Sequence, residues 1–438
     1  MRLPISGKRE LNMPRWQWLL KQLTRRLWVR ATLIGGLGIF AAILAAVVEQ
    51  YIPFDLPSNL GADAVDSILS ILASSMLAVT TFSLSVMTSA YGSATNNVTP
   101  RATRLLIEDR VTQNVLSTFL GSFLFGIVGI IVLQIGAYGE RGRAVLFVVT
   151  IFVILLVVIS LLRWIDHLTR LGRVSETTSR VEEAAHDAMQ DRIESPFLGG
   201  TPLLDPERDI PNHALPVTAQ AIGHVQHIDM QALAECCAHY DVELYLQVLP
   251  GAFVFGDTPL AQAVGLRSKG EEEDEAARDQ IRKAITIGIE RSFDQDPRFG
   301  LAVLSEIASR ALSTGINDAG TAIDVIGRCA RLLAMWERWE KATKQPEVKF
   351  ERVHVPPLST ADLFEDAFML VARDGAGHIE VQLRLQKVLR ALARLDGGDF
   401  RAAAMIQAQM AEERGLAGLA HEIDKARLRQ AIAAANAV

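Results

Sequence analysis

The chain has 438 residues, which is enough for two or three domains, and 50% of them are hydrophobic. Its net charge of −6 at pH 7 argues against a nucleic-acid partner. The three cysteines include an adjacent pair, Cys236 and Cys237, and adjacent cysteines rarely bridge each other. A disulfide framework is therefore not supported, and the composition fits a reducing compartment.

Residues 1–30 form a basic segment, which we expect to be cytoplasmic. It carries one acid, Glu10, and interleaves Trp16, Trp18 and several leucines with basic residues. The basic residues are Arg2, Lys8, Arg9, Arg15, Lys21, Arg25, Arg26 and Arg30. This pattern has two interpretations: an amphipathic helix on an anionic leaflet, or a topogenic tail before the first span. The length of the segment argues against a cleavable signal peptide.

A four-helix transmembrane domain is predicted over residues 31–165. Its apolar segments are long enough to cross a bilayer, and they cover roughly 31–49, 67–92, 115–137 and 144–162. The loop at 50–64 has no Lys or Arg, whereas the segments after the second and fourth spans are rich in Arg. By the positive-inside rule, both termini face the cytoplasm of a multi-pass protein of the bacterial inner (plasma) membrane.

The second span has no charged side chain between Ser67 and Pro100 but is rich in hydroxyl groups. Six of them fall on one helical face: Ser67, Ser70, Ser74, Thr81, Ser85 and Thr88. Such a stripe can line a water-filled path and replace part of an ion's hydration shell. It can equally serve helix packing, since Ser and Thr also bond back to their own helix.

The pore interpretation assigns charged residues to both ends of the second span. Asp63 and Asp66 would lie at the outer mouth, and Arg101 and Arg104 at the inner mouth. The spans contain no intramembrane acid or base, which argues against a proton relay or a coupled carrier. A passive pore or a membrane anchor remains.

The rest of the chain is divided by its sequence pattern into four regions. Residues 166–214 predict a helical stalk that continues the fourth span, followed by a linker. Residues 215–264 alternate apolar and polar side chains in short runs, which predicts a small β-barrel-like module. Residues 265–345 predict a helical domain, and residues 346–438 a C-terminal helical region. The fold class is thus an α-helical polytopic membrane protein with a cytoplasmic α+β region.

A polar break at residues 313–318 separates two predicted helices. Gly315 suits the left-handed residue that closes a helix, and Asn317 or Asp318 can cap the next one. The break is interpreted either as a structural junction or as a cytoplasmic site that binds a ligand or a neighbouring subunit.

No catalytic motif is present, so we expect no enzymatic activity and no cofactor. One stretch holds several soft metal ligands: His224, His227, Cys236, Cys237 and His239. Their spacing fits no common zinc site, so we expect no metal there.

Several motifs resemble a bacterial family of predicted membrane proteins, domain of unknown function 2254. They are Thr99 to Arg101, Asp109 to Gln113, Leu116 to Phe123, Tyr245 to Gly251 and Arg310 to Asp318. The resemblance covers residues 30 to 430 and implies an architecture but no activity. The chain departs from the family at Thr314, Ala319 and Gly320, where the family usually has Pro-Gly-Ile-Asn-Asp-Pro-Phe.

The leading hypothesis is a homo-oligomeric, ion-conducting pore lined by the second span, with a regulatory cytoplasmic domain. The alternative is a membrane-anchored cytoplasmic sensor or scaffold without transport activity. Both hypotheses imply the lipid bilayer as one partner. A small ion or a cytoplasmic ligand is the second partner that they imply.

Overall fold

The structure, a computed structural model, describes residues 14–48, 62–136, 138, 140–266, 270–344, 346–395 and 397–436. It divides into two compact units. The membrane unit comprises residues 19–96 and 100–177. The sheet unit comprises the residues from 178 onward, together with residues 97–99 and those up to Trp18. The predicted outer loop at 50–64 falls mostly outside the described residues.

The regular secondary structure in the described part of the membrane unit is helical. Its helices are α1 (Arg15–Thr24), which begins in the sheet unit, α2 (Leu27–Val48), α3 (Ala62–Asn97), α4 (Pro100–Ile107), α5 (Arg110–Gln134) and α6 (Glu140–Leu168). Parts of α3, α5 and α6 are each long and apolar enough to cross a membrane. Among the described residues, a fourth candidate span is found when α1 and α2, which meet at a bend of 71°, are taken together. Helix α2 by itself has 22 residues, most of them apolar.

Helix α5 lies at the centre of this unit because its small residues admit neighbouring backbones. A Cβ placed on Gly38 of α2 would come within 2.5 Å of the carbonyl oxygen of Gly121 on α5. A Cβ on Gly126 would lie 3.1 Å from Ala73 of α3, and one on Gly129 would lie 3.2 Å from Leu69. Small residues therefore allow these helices to approach one another closely.

The predicted stalk is not one continuous helix. Helix α6 ends at Leu168, and α7 (Val174–Glu194) begins after a break that contains Gly172. Gly172 has φ +79°, and a Cβ there would lie 3.2 Å from Ala90. Both facts favour glycine, and its left-handed backbone ends the helix that the apolar pattern predicted would continue.

The described part of the sheet unit contains eight strands in two sheets. Their bounds are β1 (Gly200–Pro202), β2 (Leu215–Thr218), β3 (Gly223–Ile228), β4 (Glu243–Leu246), β5 (Phe253–Val254), β6 (Pro259–Val264), β7 (Ile285–Gly288) and β8 (Phe350–Val355). One sheet has the order β1-β8-β4-β6-β2, and the other has the order β5-β3-β7. Strand β8 runs parallel to both β1 and β4, and the remaining pairs are antiparallel.

The prediction of a barrel-like module was wrong. The strands of residues 215–264 do not close on themselves, because β8 from far along the chain pairs with β4 in the interior of the larger sheet. Strand β3 pairs instead with β5 and β7 in a separate sheet. Closure would need a continuous ring of paired strands, whereas these sheets have open ends.

A second correction concerns residues 265–345, which the sequence predicted as a helical domain without strands. Helix α10 spans Glu271–Ala284, with its acidic residues in the first turn, where the helix dipole favours them. The chain then continues as β7, whose sequence is Ile-Thr-Ile-Gly. β-Branched residues favour a strand, and this one pairs with β3.

The remaining described helices of the sheet unit, apart from α8 and α9, lie in the two regions predicted as helical, residues 265–345 and 346–438. The remaining helices are α8 (Pro206–Asp209), α9 (Met230–Tyr240), α11 (Pro297–Ala311), α12 (Ala319–Ala342), α13 (Thr360–Asp374), α14 (Ile379–Leu392), α15 (Gly398–Gly418) and α16 (Glu422–Asn436). Helices α13 and α15 meet through fully buried aromatic rings. Phe364 and Phe400 pack edge to face, with ring centroids 5.1 Å apart.

Candidate functional site

The hydroxyl stripe of α3 lies on the exposed face of that helix. All six predicted pore-lining residues are exposed: Ser67, Ser70, Ser74, Thr81, Ser85 and Thr88. The buried residues of α3, which include Leu69, Met76, Ser83 and Met87, lie about half a turn away around the helix axis. The stripe therefore points away from the packing of its own membrane unit.

Three of the six hydroxyls in the stripe donate their protons to α3 itself. Ser74 donates to the carbonyl of Ser70 at 2.8 Å, and Thr81 and Thr88 donate to the carbonyls four residues earlier, each at 2.9 Å. A hydroxyl has one donor and two acceptor lone pairs. Once its proton is bonded to the helix, the group presents only oxygen lone pairs to its surroundings. Such a surface suits a cation or a water proton.

The residues assigned to the two mouths differ in their surroundings. Asp66 is half-buried, and its Oδ1 is a buried atom without a hydrogen-bond partner among the described residues. The side chain of Asp63 lies outside the described part of the chain. Arg101 is exposed, whereas Arg104 donates to the carboxylate of Glu108 at 3.0 Å.

Glu108 was not assigned a role from the sequence. Its carboxylate also lies 3.4 Å from Arg25, so one acid faces two guanidinium groups. The Arg104–Glu108 spacing of four residues on a helix was the available signal. The partner Arg25 lies 83 residues away, and no local pattern identifies it.

A largely buried polar cluster joins the start of α5 to the end of α6. Asp109 caps α5, and its Oδ2 accepts from the amide of Thr112 at 2.9 Å and from the hydroxyl of Thr112 at 2.5 Å. Nε2 of His167 lies 2.9 Å from the same Oδ2 and 3.0 Å from the Thr112 hydroxyl. Trp164, itself buried, stacks on the His167 ring with centroids 5.7 Å apart.

This Asp109–Thr112–His167 cluster was missed by the sequence analysis. Asp109 and Thr112 fall in one of the family motifs, and an Asp before an apolar helix is a usual cap signal. His167 is 55 residues away from Thr112, so only the antiparallel packing of α5 and α6 brings it there. An acid before α5 and a histidine in the last turn of α6 both suit their helix dipoles.

The turn at residues 313–318 is fully exposed. The carboxylate of Asp318 caps α12 by accepting from the amide of Thr321 at 3.0 Å and from its hydroxyl at 2.6 Å. The left-handed residue is Asn317, with φ +52°, rather than Gly315. Asn tolerates this conformation because of its short polar side chain, which here lies 3.2 Å from Nε2 of His378.

The histidines and cysteines of residues 224–239 do not converge. Cys236 and Cys237 are buried, and burial raises their thiol pKa values to about 11 and about 12. His227 is buried and stacks on Trp18, whereas His224 packs against Phe253. Within the described ranges, no three His, Cys, Asp or Glu residues are grouped so as to hold a metal ion.

A model of the family described as "Predicted membrane protein (DUF2254)" matches residues 24–391. The chain belongs to this family. The uncharacterized proteins Rv1290c of Mycobacterium tuberculosis and Mb1321c of Mycobacterium bovis are each 26% identical to it over 256 residues. The alignment covers 56% of this chain and 47% of each relative, so the chain spans about half the length of the curated relatives it matches. No solved structure matches the chain.

In this DUF2254 protein, two of the motifs that resemble the family coincide with polar junctions between helices. The motif Asp109 to Gln113 opens α5 and contributes two members of the cluster with His167. The amide of Gln113 donates to the carbonyls of Arg25 and Ile107, at 2.6 and 3.0 Å. The motif Arg310 to Asp318 forms the exposed turn that ends in the cap of α12.

Proposed function

We propose that this DUF2254 protein forms a homo-oligomeric pore for small ions in the bacterial inner membrane. The observation that carries the proposal is the position of the α3 hydroxyl stripe, on the exposed face about half a turn from the buried residues of the helix. A single copy cannot enclose a path with an outward-facing stripe. In a ring of copies, each α3 would contribute its stripe to the axis.

The stripe favours cations over anions. Hydroxyls such as those of Thr81 and Thr88 donate to their own helix and so offer only lone pairs. Asp66 would add a negative charge at the outer end. At the inner end, Glu108 partly neutralises the positive charge of Arg104.

In this proposal both termini are cytoplasmic, in accordance with the distribution of Lys and Arg in the sequence. The sheet unit then regulates the pore and carries out no chemical reaction of its own. The exposed turn with Gly315, Asn317 and Asp318 is a surface at which a cytoplasmic ligand could act.

Cysteine accessibility tests the pore directly. Single cysteines at Ser74, Thr81 and Thr88 should react with small charged thiol reagents in membranes, and reaction should reduce the ion flux of reconstituted vesicles. Matched cysteines at Leu72 and Met76, on the buried face of α3, should react slowly. The native cysteines are buried and contribute little background. Equal reactivity on both faces, or absence of flux in wild-type vesicles, would contradict the proposal.

One observation favours the alternative function, a membrane-anchored sensor or scaffold. The sheet unit exposes four large apolar side chains near one end of the β5-β3-β7 sheet: Ile222, Phe253, Phe255 and Ile289. Ile289 is 92% exposed, which is rare for a large apolar residue and typical of a binding surface. The oligomeric state in detergent separates the two functions, because a pore lined by one helix per copy requires a ring.

A further inference from the structure

Helix α1 presents two faces with opposite surroundings. One face lies in the sheet unit: Trp18 is only 4% exposed, stacks on His227 with centroids 5.2 Å apart, and donates its indole N–H to Asp294 at 3.2 Å. On the same side, the backbone amide of Arg15 donates to the carboxylate of Asp229. These contacts fix which side of α1 faces outward.

The outward face of α1 is apolar. Trp16, Leu19, Leu20 and Leu23 are each more than 40% exposed. At 3.6 residues per turn they occupy an arc of about 100°, which is the width of a helix face that normally packs on something. Trp18 lies on the opposite side of the helix, so the apolar arc is not covered by the contacts that hold Trp18.

The position of α1 in the chain, next to the apolar helix α2, indicates that a membrane surface covers this arc. Only residues 25 and 26 separate α1 from the apolar helix α2, so the two helix ends are no more than about 11 Å apart. The two helices meet at a bend of 71°, which is the geometry of a surface helix that leads into a span. An apolar arc held this close to a membrane helix lies at the boundary between headgroups and acyl chains.

The charge of the segment selects the type of lipid. Residues 1–30 carry eight Lys and Arg residues against one acid. Arg26, directly after α1, is exposed. Basic residues beside an interfacial helix attract anionic headgroups, and Trp is favoured at this depth of the bilayer.

We propose that α1 lies in the headgroup layer of an anionic leaflet, with Trp16, Leu19, Leu20 and Leu23 in lipid and Trp18 on the opposite side of the helix. This role is independent of whether α3 lines a pore. It makes α1 a lipid-binding surface whose occupancy depends on the headgroup charge of the membrane.

Spin labels on the full-length protein in vesicles test this proposal. Nitroxides are attached to single cysteines at Leu20 and Leu23, with Phe152 as a reference for lipid exposure and Ala238 as a reference for water exposure, since both are exposed. In vesicles containing phosphatidylglycerol, collisions of the Leu20 and Leu23 labels with oxygen should exceed those with a water-soluble nickel chelate. In pure phosphatidylcholine vesicles, both labels should shift toward the values at Ala238.

Three results would overturn the proposal. The labels at Leu20 and Leu23 could match the water reference in phosphatidylglycerol vesicles, which would leave the arc in solvent. They could show spin–spin broadening, which would assign the arc to a second copy of the chain. They could also give the same depth in both lipids, which would remove the role of the anionic headgroup. The variant Arg26→Gln should reduce the difference between the lipids without changing the labels at Phe152.

Discussion

The polar side chains of α3 and those at the junction of α5 and α6 satisfy their hydrogen bonds in different ways. On α3, hydroxyls such as those of Ser74 and Thr81 bond only to the helix that carries them and remain exposed. At the junction, Asp109, Thr112 and His167 are largely buried and bond to each other across two helices. The hydroxyls of α3 can therefore be removed without leaving a buried hydrogen-bond partner unsatisfied. Removing a residue of the junction leaves its buried partners without a hydrogen bond.

This difference separates a role in structure from a role at a surface. A buried polar group that loses its partner costs the free energy of its desolvation, whereas an exposed one rebinds water. The junction therefore stabilises the membrane unit. The stripe contributes little stability, so its regular pattern needs another explanation, and the proposed conduction would be one.

The substitution that removes the acid of the junction is expected to cause the largest loss of stability. Asp109→Ala deletes the cap of α5, which costs about 1 kcal/mol. It also leaves the buried Thr112 hydroxyl and the His167 imidazole without their shared acceptor, for about 1–3 kcal/mol more. We expect the unfolding free energy in detergent, measured by denaturant titration, to fall by about 2–4 kcal/mol.

The matched control is Asp109→Asn, which keeps one oxygen that can accept from the Thr112 amide. It should recover most of the cap and only part of the contact with His167. An Asp109→Ala variant as stable as the wild type would show that the junction contributes no more stability than the hydroxyl stripe. That result would contradict a structural role for the junction.

Much of the fold was predictable from local patterns. The alternation within residues 215–264 correctly predicted short strands such as β3, and the helical pattern of residues 265–345 correctly predicted helices such as α11. Local patterns failed where the outcome depends on distant pairing. The place of β8 beside β4 is set by a contact across about a hundred residues, and this pairing is why no barrel closes.

The same division applies to the candidate site. The exposed stripe was predictable, because six hydroxyls on one face of a helix are a local pattern. The partner His167 was not, because it meets Asp109 only after α5 and α6 pack. At the exposed turn, the cap residue Asp318 followed from its position before α12, but the left-handed residue was wrongly predicted as Gly315 in place of Asn317.

Asp318 is an intermediate case between the exposed hydroxyls of α3 and the buried junction of α5 and α6. It is an exposed helix cap whose hydrogen-bond partners are close in sequence. Hydrogen bonds from the hydroxyl and then the amide of Thr321 lower the pKa of Asp318 below its ordinary value of 3.8. Asp318→Ala should reduce the unfolding free energy by about 1 kcal/mol at neutral pH, as a lost cap. Because the folded-state pKa is lowered, this contribution is present above pH 3.8 and is lost as the pH falls through the lower folded value.

The measurement is the difference in unfolding free energy between wild type and Asp318→Ala at pH 7 and pH 3. The difference should shrink at the lower pH, and Asp318→Asn should show a smaller dependence on pH. Unchanged stability with a loss of assembly or flux would instead make the turn a binding site.

The variant Thr88→Val, which removes one hydroxyl of the stripe, is expected to have the smallest effect on stability. Valine matches the shape of threonine, and the only hydrogen bond lost is the one that Thr88 donates to the carbonyl of Leu84. An exposed substitution of this kind should change the unfolding free energy by no more than about 0.5 kcal/mol. Cation flux should nevertheless fall, because a lone-pair acceptor is removed from the proposed path.

Thr118 of α5 is the matched control: its hydroxyl bonds in the same way to the carbonyl of Asn114, at 2.8 Å, but lies outside the stripe. Thr118→Val should leave both stability and flux unchanged. An equal loss of flux in the two variants would mean that the hydroxyls of α3 have no special role, and the stripe would then be a lipid-facing or packing surface.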